Sequence, residues 1–382
     1  MDQRVRFVAA LSEGALAMSE ACRIYGVSRK TGYKWLERYK TYGPGGLEDQ
    51  SRAPKKMPWA LEVELAEQLV QIRHRHPTWG PRKILAWLRL RQPGVRLPAA
   101  STVGELFRRQ GLVTTSRRRR RRLEHLGTPL GHVQGPNDGW CVDFKGHFRV
   151  GNGQRCDPLT VSDAFSRFLL CCQAVERPTT EYVWPVFERA FREYGLPGAI
   201  RSDNGPPFAS RALGGLSRLS VRWVRLGIRL ERITPGKPQE NGRHERMHRT
   251  LKAETVRPEA AADLVRQQRR FDHFREEYNH ERPHEALDGQ PPARLYSRSP
   301  RPYPGKLPEI EYPAHVEVRM VRTDGTIRWR AGHTYISEAL IGEPIGLEAL
   351  DDGKWLLRFG HLALGVLDET RSTPTILAAP IR

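Results

Sequence analysis

Two periods of apolar residues divide the chain. Helical spacing governs its first third: residues 19–25 and 28–39 read as two short helices, and Leu61, Leu65, Leu69 and Ile72 fall on one face of a longer helix over 61–74. From Trp140 the period shortens to strand alternation, and 140–150, 159–162 and 168–174 predict a three-strand meander that turns at Gly151-Asn152-Gly153 and again over 163–167. Helices are then predicted at 181–194, 209–221, 239–255 and 259–278, with short strands at 199–202 and 230–233. Three antiparallel strands followed by alternating strands and helices make a mixed sheet flanked by helices, so the fold class is multidomain α/β.

Chain breakers mark the boundaries. Glycines, Pro44 and Pro54 separate a first helical unit, 1–50, from a second, 57–113, in which Trp79-Gly80-Pro81 turns the chain into a helix over 84–90 and Ser101 is expected to cap a third ending at Gly111. An arginine-rich linker, 114–135, leads into the mixed-sheet domain, 136–298. Beyond the proline-rich stretch 291–313 comes an all-strand module, 310–382, with hairpin turns at Asp324-Gly325 and Asp352-Gly353 and apolar Val316, Val318, Ile327, Trp329, Leu347 and Trp355. It is expected to close as a small β-barrel. Trp184, Trp223 and Trp329 are assigned to the core or the barrel.

Within the first unit, Gly26 supplies a sharp turn, Val27 a core contact and Ser28 a helix cap, the pattern of a helix-turn-helix. The second helix opens with Arg29, Lys30, Thr31 and Lys34, where a recognition helix meets base edges and phosphates, while Trp35 and Leu36 hold it to the core. An ordinary three-helix bundle with a solvated basic face has the same periodicity. The second unit reads as another DNA-binding element or as a linking bundle.

Charge sharpens this picture. The 382 residues carry 63 lysines and arginines against 43 aspartates and glutamates, a formal net charge of +20, which suits a polyanionic partner and salt-sensitive binding. Arg117, Arg118, Arg119, Arg120, Arg121 and Arg122 form an unbroken run, too self-repelling for a packed element unless phosphates lie against it. Five scattered cysteines lack metal-ligand spacing and fit free thiols in a reducing compartment. Without a signal peptide or a long apolar run, the protein is expected to be soluble and intracellular, with no membrane partner.

Three carboxylates stand out. Asp143 sits mid-strand in Trp140-Cys141-Val142-Asp143-Phe144-Lys145, Asp203 ends a predicted strand in Ser202-Asp203-Asn204-Gly205, and Glu245 lies on a helix whose core stripe is Met247 and Leu251. Converging carboxylates repel one another, and divalent cations resolve the repulsion. Hard oxygen ligands favour Mg²⁺ or Mn²⁺, and a pair of such ions can activate a hydroxyl on one side of a phosphodiester and stabilise the leaving oxygen on the other. Asp143, Asp203 and Glu245 are thus candidates both for catalysis and for metal ligation. Lys145, Arg201, Lys237, Asn241, Arg243, His248, Arg249 and Lys252 are candidates for DNA contact around them.

Trp140 to Lys145, Asp203-Asn204-Gly205 and Pro238-Gln239-Glu240-Asn241-Gly242-Arg243-His244-Glu245 resemble the three acidic motifs of the integrase-like DDE transposases, and Asn279-His280-Glu281-Arg282-Pro283-His284 resembles the close of that domain in bacterial insertion-sequence members. The resemblance covers most of the chain. It implies a ribonuclease-H-like catalytic core, two metal ions per site, recognition of element ends in double-stranded DNA, 3′-end cleavage and joining to target DNA. It also implies a homo-oligomer on DNA and a cytoplasmic, nucleoid-associated bacterial protein. Asp203 and Glu245 lie 42 positions apart, somewhat beyond the usual family spacing. Glu240 is therefore a rival third ligand; the register from Gly227 onward favours Glu245.

His244-Glu245-Arg246-Met247-His248 also satisfies a zinc-protease pattern, two histidines one helical turn apart with a glutamate between. Arg243, Arg246 and Arg249 around it oppose a bound cation, and a protease accounts for none of the DNA-binding features. Two further classes compete with a transposase: a helix-turn-helix regulator carrying an inactive integrase-like domain, and a simple nuclease.

Overall fold

A computed structural model describes residues 2–49, 61–113, 133–233, 242–350, 353–370 and 375–378. Arg117 to Arg122, Lys237, Glu240, Asn241 and Asp352 lie outside the described residues. The chain forms two compact units, Met1–Glu62 and Val63–Arg382. No helix among the described residues is long and apolar enough to cross a membrane.

The first unit packs α1 (Asp2–Ser12), α2 (Met18–Ile24) and α3 (Arg29–Tyr42) around Phe7, Val8, Ala21, Cys22 and Leu47. Ser28 caps α3, its hydroxyl accepting from the Thr31 amide at 3.2 Å. Gly32 lets α3 close onto its neighbours: a Cβ there would lie 2.8 Å from the Phe7 ring and 2.9 Å from the Cys22 sulfur. Arg29, Lys30 and Lys34 are exposed, while Trp35 and Leu36 pack against the core.

The second unit begins with α4 (Val63–Arg75), α5 (Pro81–Arg91) and α6 (Ala100–Arg109), joined through buried Leu69, Trp79, Ile84, Leu88, Val103 and Phe107. Ala99, not Ser101, occupies the cap of α6 and makes no side-chain cap bond, so Ser101 stands within the first turn. The mixed sheet follows, built from β1 (Trp140–Phe144), β2 (Phe148–Arg149), β3 (Arg155–Asp163), β4 (Leu169–Val175), β5 (Ala199–Ser202) and β6 (Arg229–Arg232). β3 runs antiparallel to β1, β2 and β4, whereas β1, β5 and β6 run parallel to one another. The single strand expected over 140–150 is broken into β1 and β2 around Gly146, whose φ of +83° is outside the strand region.

Each face of this sheet has its own cover. Trp140, Val142, Leu159 and Val161 pack against α7 (Thr180–Tyr194) and α8 (Arg218–Arg225). Trp140 is fully buried and its indole donates to Asn137 Oδ1 at 3.0 Å; truncation to alanine would cost about 3–5 kcal/mol. Cys156, Leu169 and Cys172 pack on the opposite face against α9 (Gly242–Thr255) and α10 (Leu264–His280) through Met247, Leu251, Phe271 and Phe274. α10 starts later than the apolar spacing suggests because Asp263 caps it, accepting from the Arg266 amide at 2.7 Å. The preceding loop is held elsewhere, with Ala261 and Ala262 carbonyls accepting from Gly151 and Asn152 at 2.8 Å.

The C-terminal strands β7 (Glu317–Met320), β10 (Pro344–Ala349), β11 (Lys354–Phe359), β12 (Leu362–Asp368) and β13 (Thr375–Ala378) form an antiparallel sheet in the order β13-β12-β11-β10-β7, and β8 (Thr326–Trp329) pairs with β9 (Gly332–Tyr335) as a hairpin. Among the described residues the sheet is open, not the closed barrel expected from its turns. Its apolar face merges with the core instead: Ile345, Leu347, Leu357, Phe359 and Leu364 belong to the same cluster as Leu216 and Trp223.

Candidate active site

Asp143 occupies β1 opposite Thr160 of β3. The Thr160 hydroxyl donates to the Asp143 carbonyl at 3.1 Å, and its oxygen lies 2.7 Å from His248 Nε2. A hydroxyl has one proton, so with that proton on the carbonyl it accepts from Nε2–H, and the bare Nδ1 faces Asp143 Oδ2 at 3.9 Å. His248 therefore packs beside the carboxylate without protonating it. Burial pushes the His248 pKa down to about 2, helped by His244 and Lys145, so the imidazole stays neutral near pH 7 and adds no charge to the site.

β1 and β5 pair in parallel, Trp140 with Ile200 and Cys141 with Arg201. Two more steps of that register bring Asp143 level with Asp203, the first residue past β5, on strands about 4.8 Å apart. Asp203 is exposed, and its Oδ1 accepts from the Gly205 amide at 3.3 Å. Behind it Arg232 donates to Phe208 O at 2.8 Å and to Ser202 Oγ; burial lowers its pKa to about 10, against the pull of Asp203.

Glu245 stands in the first turn of α9, exposed, beside the face that buries His244, Met247 and His248. That face fixes the helix over β3, so the turn bearing Glu245 also bears the histidine that meets Asp143. Among the described residues no group of three or more His, Cys, Asp or Glu side chains is already drawn together as a metal cluster. The donors themselves suit a hard cation: carboxylates on a strand, just past the end of the adjacent strand and on a neighbouring helix, flanked by a neutral imidazole.

The zinc-protease reading does not fit this geometry. His248 Nε2 is engaged by Thr160, the two imidazoles meet edge to face with centroids 5.2 Å apart, and Glu245 is exposed while both histidines are buried. Of the proposed phosphate contacts, Arg249 and Lys252 are exposed on α9, and Lys252 lines a pocket of about 110 Å³ together with Lys145. Arg243 belongs to α9 by its backbone. Arg201 is turned to Glu231 at 3.3 Å.

Residues 133–238 and 226–292 match models of the integrase core domain, 3–55 a helix-turn-helix domain and 31–107 a homeodomain-like domain. The uncharacterized 31.7 kDa protein of insertion element IS407 from Burkholderia multivorans is 28% identical over 235 residues, 61% of this chain and 81% of that one. The uncharacterized insertion element IS136 protein Atu4601 of Agrobacterium fabrum is 30% identical over 157 residues, 39% of this chain and 76% of that one. The chain belongs to the insertion-sequence transposases of the integrase-like superfamily. Among solved structures, the catalytic core domain of HTLV-2 integrase in complex with magnesium aligns over 43% of this chain and 99% of its own at 16% identity, with a TM-score of 0.34, too loose a likeness to argue from.

In this transposase the closing motif has a structural role legible only in three dimensions. Asn279 brackets the edge of β4, accepting from the Leu169 amide at 2.7 Å and donating to its carbonyl at 3.0 Å, and buried Arg282 pairs with Glu254 of α9 at 2.7 Å. Sequence reasoning missed Thr160 and Arg232. Thr160 carries a faint signal as a hydroxyl within the apolar run of β3; Arg232 carries none, being one of many arginines.

Proposed function

We infer that this transposase cuts DNA at the ends of an insertion sequence and joins the freed 3′ ends to target DNA, with Asp143, Asp203 and Glu245 as its catalytic carboxylates. The reading rests above all on the strand register that levels Asp143 with Asp203, beside a helix docked through His248. These three side chains would hold a pair of divalent cations, Mg²⁺ or Mn²⁺. When bound, such ions would polarise a phosphodiester and lower the pKa of the attacking hydroxyl. The chain's own part is to hold negative oxygens in a preset array, to keep His248 neutral beside them, and to clamp the DNA backbone with Lys145, Arg249 and Lys252. Arg29, Lys30, Thr31 and Lys34 at the start of α3 would read the element ends, with the Arg117 to Arg122 run gripping the backbone. Two ends must meet before joining, which calls for a dimer or larger assembly.

The test uses the DNA that flanks this gene. Incubated with full-length protein and Mg²⁺, that DNA should be nicked at the element border and its 3′ end joined to a second duplex, and a chelator should abolish both products. Specific binding with no cutting under any divalent cation would make the protein a regulator with an inactive core. Cutting without border preference would make it a simple nuclease.

A further inference from the structure

Where the α4–α6 block meets the core, a groove of about 680 Å³ opens between the end of α4, the end of α9 and the middle of α10. Arg75, Arg257, Arg269 and Arg270 line it, all exposed. Two acids share the lining, and both are engaged: Glu254 with Arg282 at 2.7 Å and with Thr78, Glu277 with His76 at 3.1 Å. Arg270 donates to the carbonyls of Thr255 and Glu259, neutral acceptors that leave its positive charge in the groove among the described residues. His76, almost wholly buried at the same groove, has no partner for Nε2 among the described residues. The groove is thus a positive concavity held open by a packed junction, since His76 stacks on Trp79 at 4.0 Å and Arg91 reaches Glu281 at 3.7 Å.

A charged track joins this groove to the candidate active site. Glu245, Arg249 and Lys252 follow one another along a single face of α9 at steps of four and three residues, and the chain reaches Arg257 just past the end of the helix. At 1.5 Å per residue the track from Glu245 to Arg257 is roughly 18 Å long. Duplex DNA advances 3.4 Å per base pair, so that span is about five base pairs. A polyanion whose scissile phosphate lay at Glu245 would carry further phosphates over Lys252 and into the groove. An acidic peptide docked there would have no need of the track.

We propose that this groove is a phosphate-backbone clamp for duplex DNA, seated about five base pairs from the scissile bond and formed jointly by the α4–α6 block and the core. It rests on the reading that duplex DNA enters the candidate active site. The contacts are ionic and carry no sequence information, so they act as a ruler and not as a reader.

The test is the salt dependence of binding of full-length protein to a 30-base-pair duplex, without divalent cations, for wild type, Arg257→Gln/Arg269→Gln and Arg257→Lys/Arg269→Lys. Each lost phosphate contact lowers the slope of log K against log salt by about one, so the glutamine pair should lower it by about two and the lysine pair should leave it near wild type. Both arginines are exposed, and an unchanged melting temperature verifies that the glutamine pair folds. An unchanged slope in a folded glutamine pair overturns the clamp, as does a change in oligomeric state without a change in slope, which would make the groove a contact between copies. Because no cutting is measured, loss of the clamp and loss of the catalytic reading are separate results: a clamp variant that binds normally leaves the carboxylates standing, and inactive carboxylate variants with a wild-type slope leave the clamp standing.

Discussion

The candidate active site has two unlike halves. Asp143 is half-buried mid-strand, its carbonyl taken by Thr160 and its carboxylate flanked by a buried imidazole that packs against the same hydroxyl. Asp203 and Glu245 are exposed, one just past a strand end and one in the first turn of a helix, on either side of the undescribed stretch 234–241. One half is set by the sheet before any ligand arrives; the other faces the solvent from which DNA and ions come. Preorganisation belongs to the half-buried carboxylate and access to the exposed pair.

The largest expected effect falls on both halves alike. Asp143→Asn, Asp203→Asn and Glu245→Gln should each lower 3′-end joining by about a thousandfold or more while duplex binding persists, because ligands of one metal site act as a unit. Glu240→Gln, assayed beside Glu245→Gln, should remain active; the reverse outcome moves the third ligand to Glu240. Lengthening the side chains separates the halves. Asp143→Glu would move the carboxylate of a half-buried strand residue that has His248 beside it and should be as inactive as the asparagine variant, whereas Asp203→Glu, facing solvent, should keep roughly 1–10% of the rate, set by how far a ligand can shift before geometry fails. Equal tolerance at both positions would erase the contrast.

A smaller effect is expected from the packing neighbour. His248→Ala should slow joining by roughly tenfold to a hundredfold without weakening duplex binding, because it opens a cavity beside Asp143 and frees the Thr160 hydroxyl that holds its strand. His248→Gln, which can still donate to Thr160, should recover part of the rate. Thr160→Val should be the mildest, costing about 1 kcal/mol of stability by thermal or urea unfolding and less than a tenfold change in rate.

Much of this arrangement is legible in sequence because its causes are local. Alternation around Asp143 fixes which residues of β1 face the core, and the Met247–Leu251 spacing fixes which face of α9 is buried. Ser28 caps α3 as its position suggests. What sequence does not display are partners distant along the chain: Thr160 meets His248 across 88 positions, and Asn279 meets Leu169 across 110. The C-terminal strands show the same limit. Their turns are readable, but sequence alone does not reveal that Ile345, Leu347 and Phe359 have Trp223 of the preceding domain to pack against, and a barrel is the solution for strands that must bury such residues alone. The groove between α4, α9 and α10 arises only on docking, since none of its arginines stands out in so basic a sequence.

The most direct measurement takes Asp203→Asn and wild type through one experiment, recording duplex binding and Mg²⁺-dependent 3′-end cleavage in the same samples of DNA bearing the element border. The carboxylate account predicts equal binding and cleavage reduced to background in the variant. Cleavage by Asp203→Asn at the wild-type rate would contradict it.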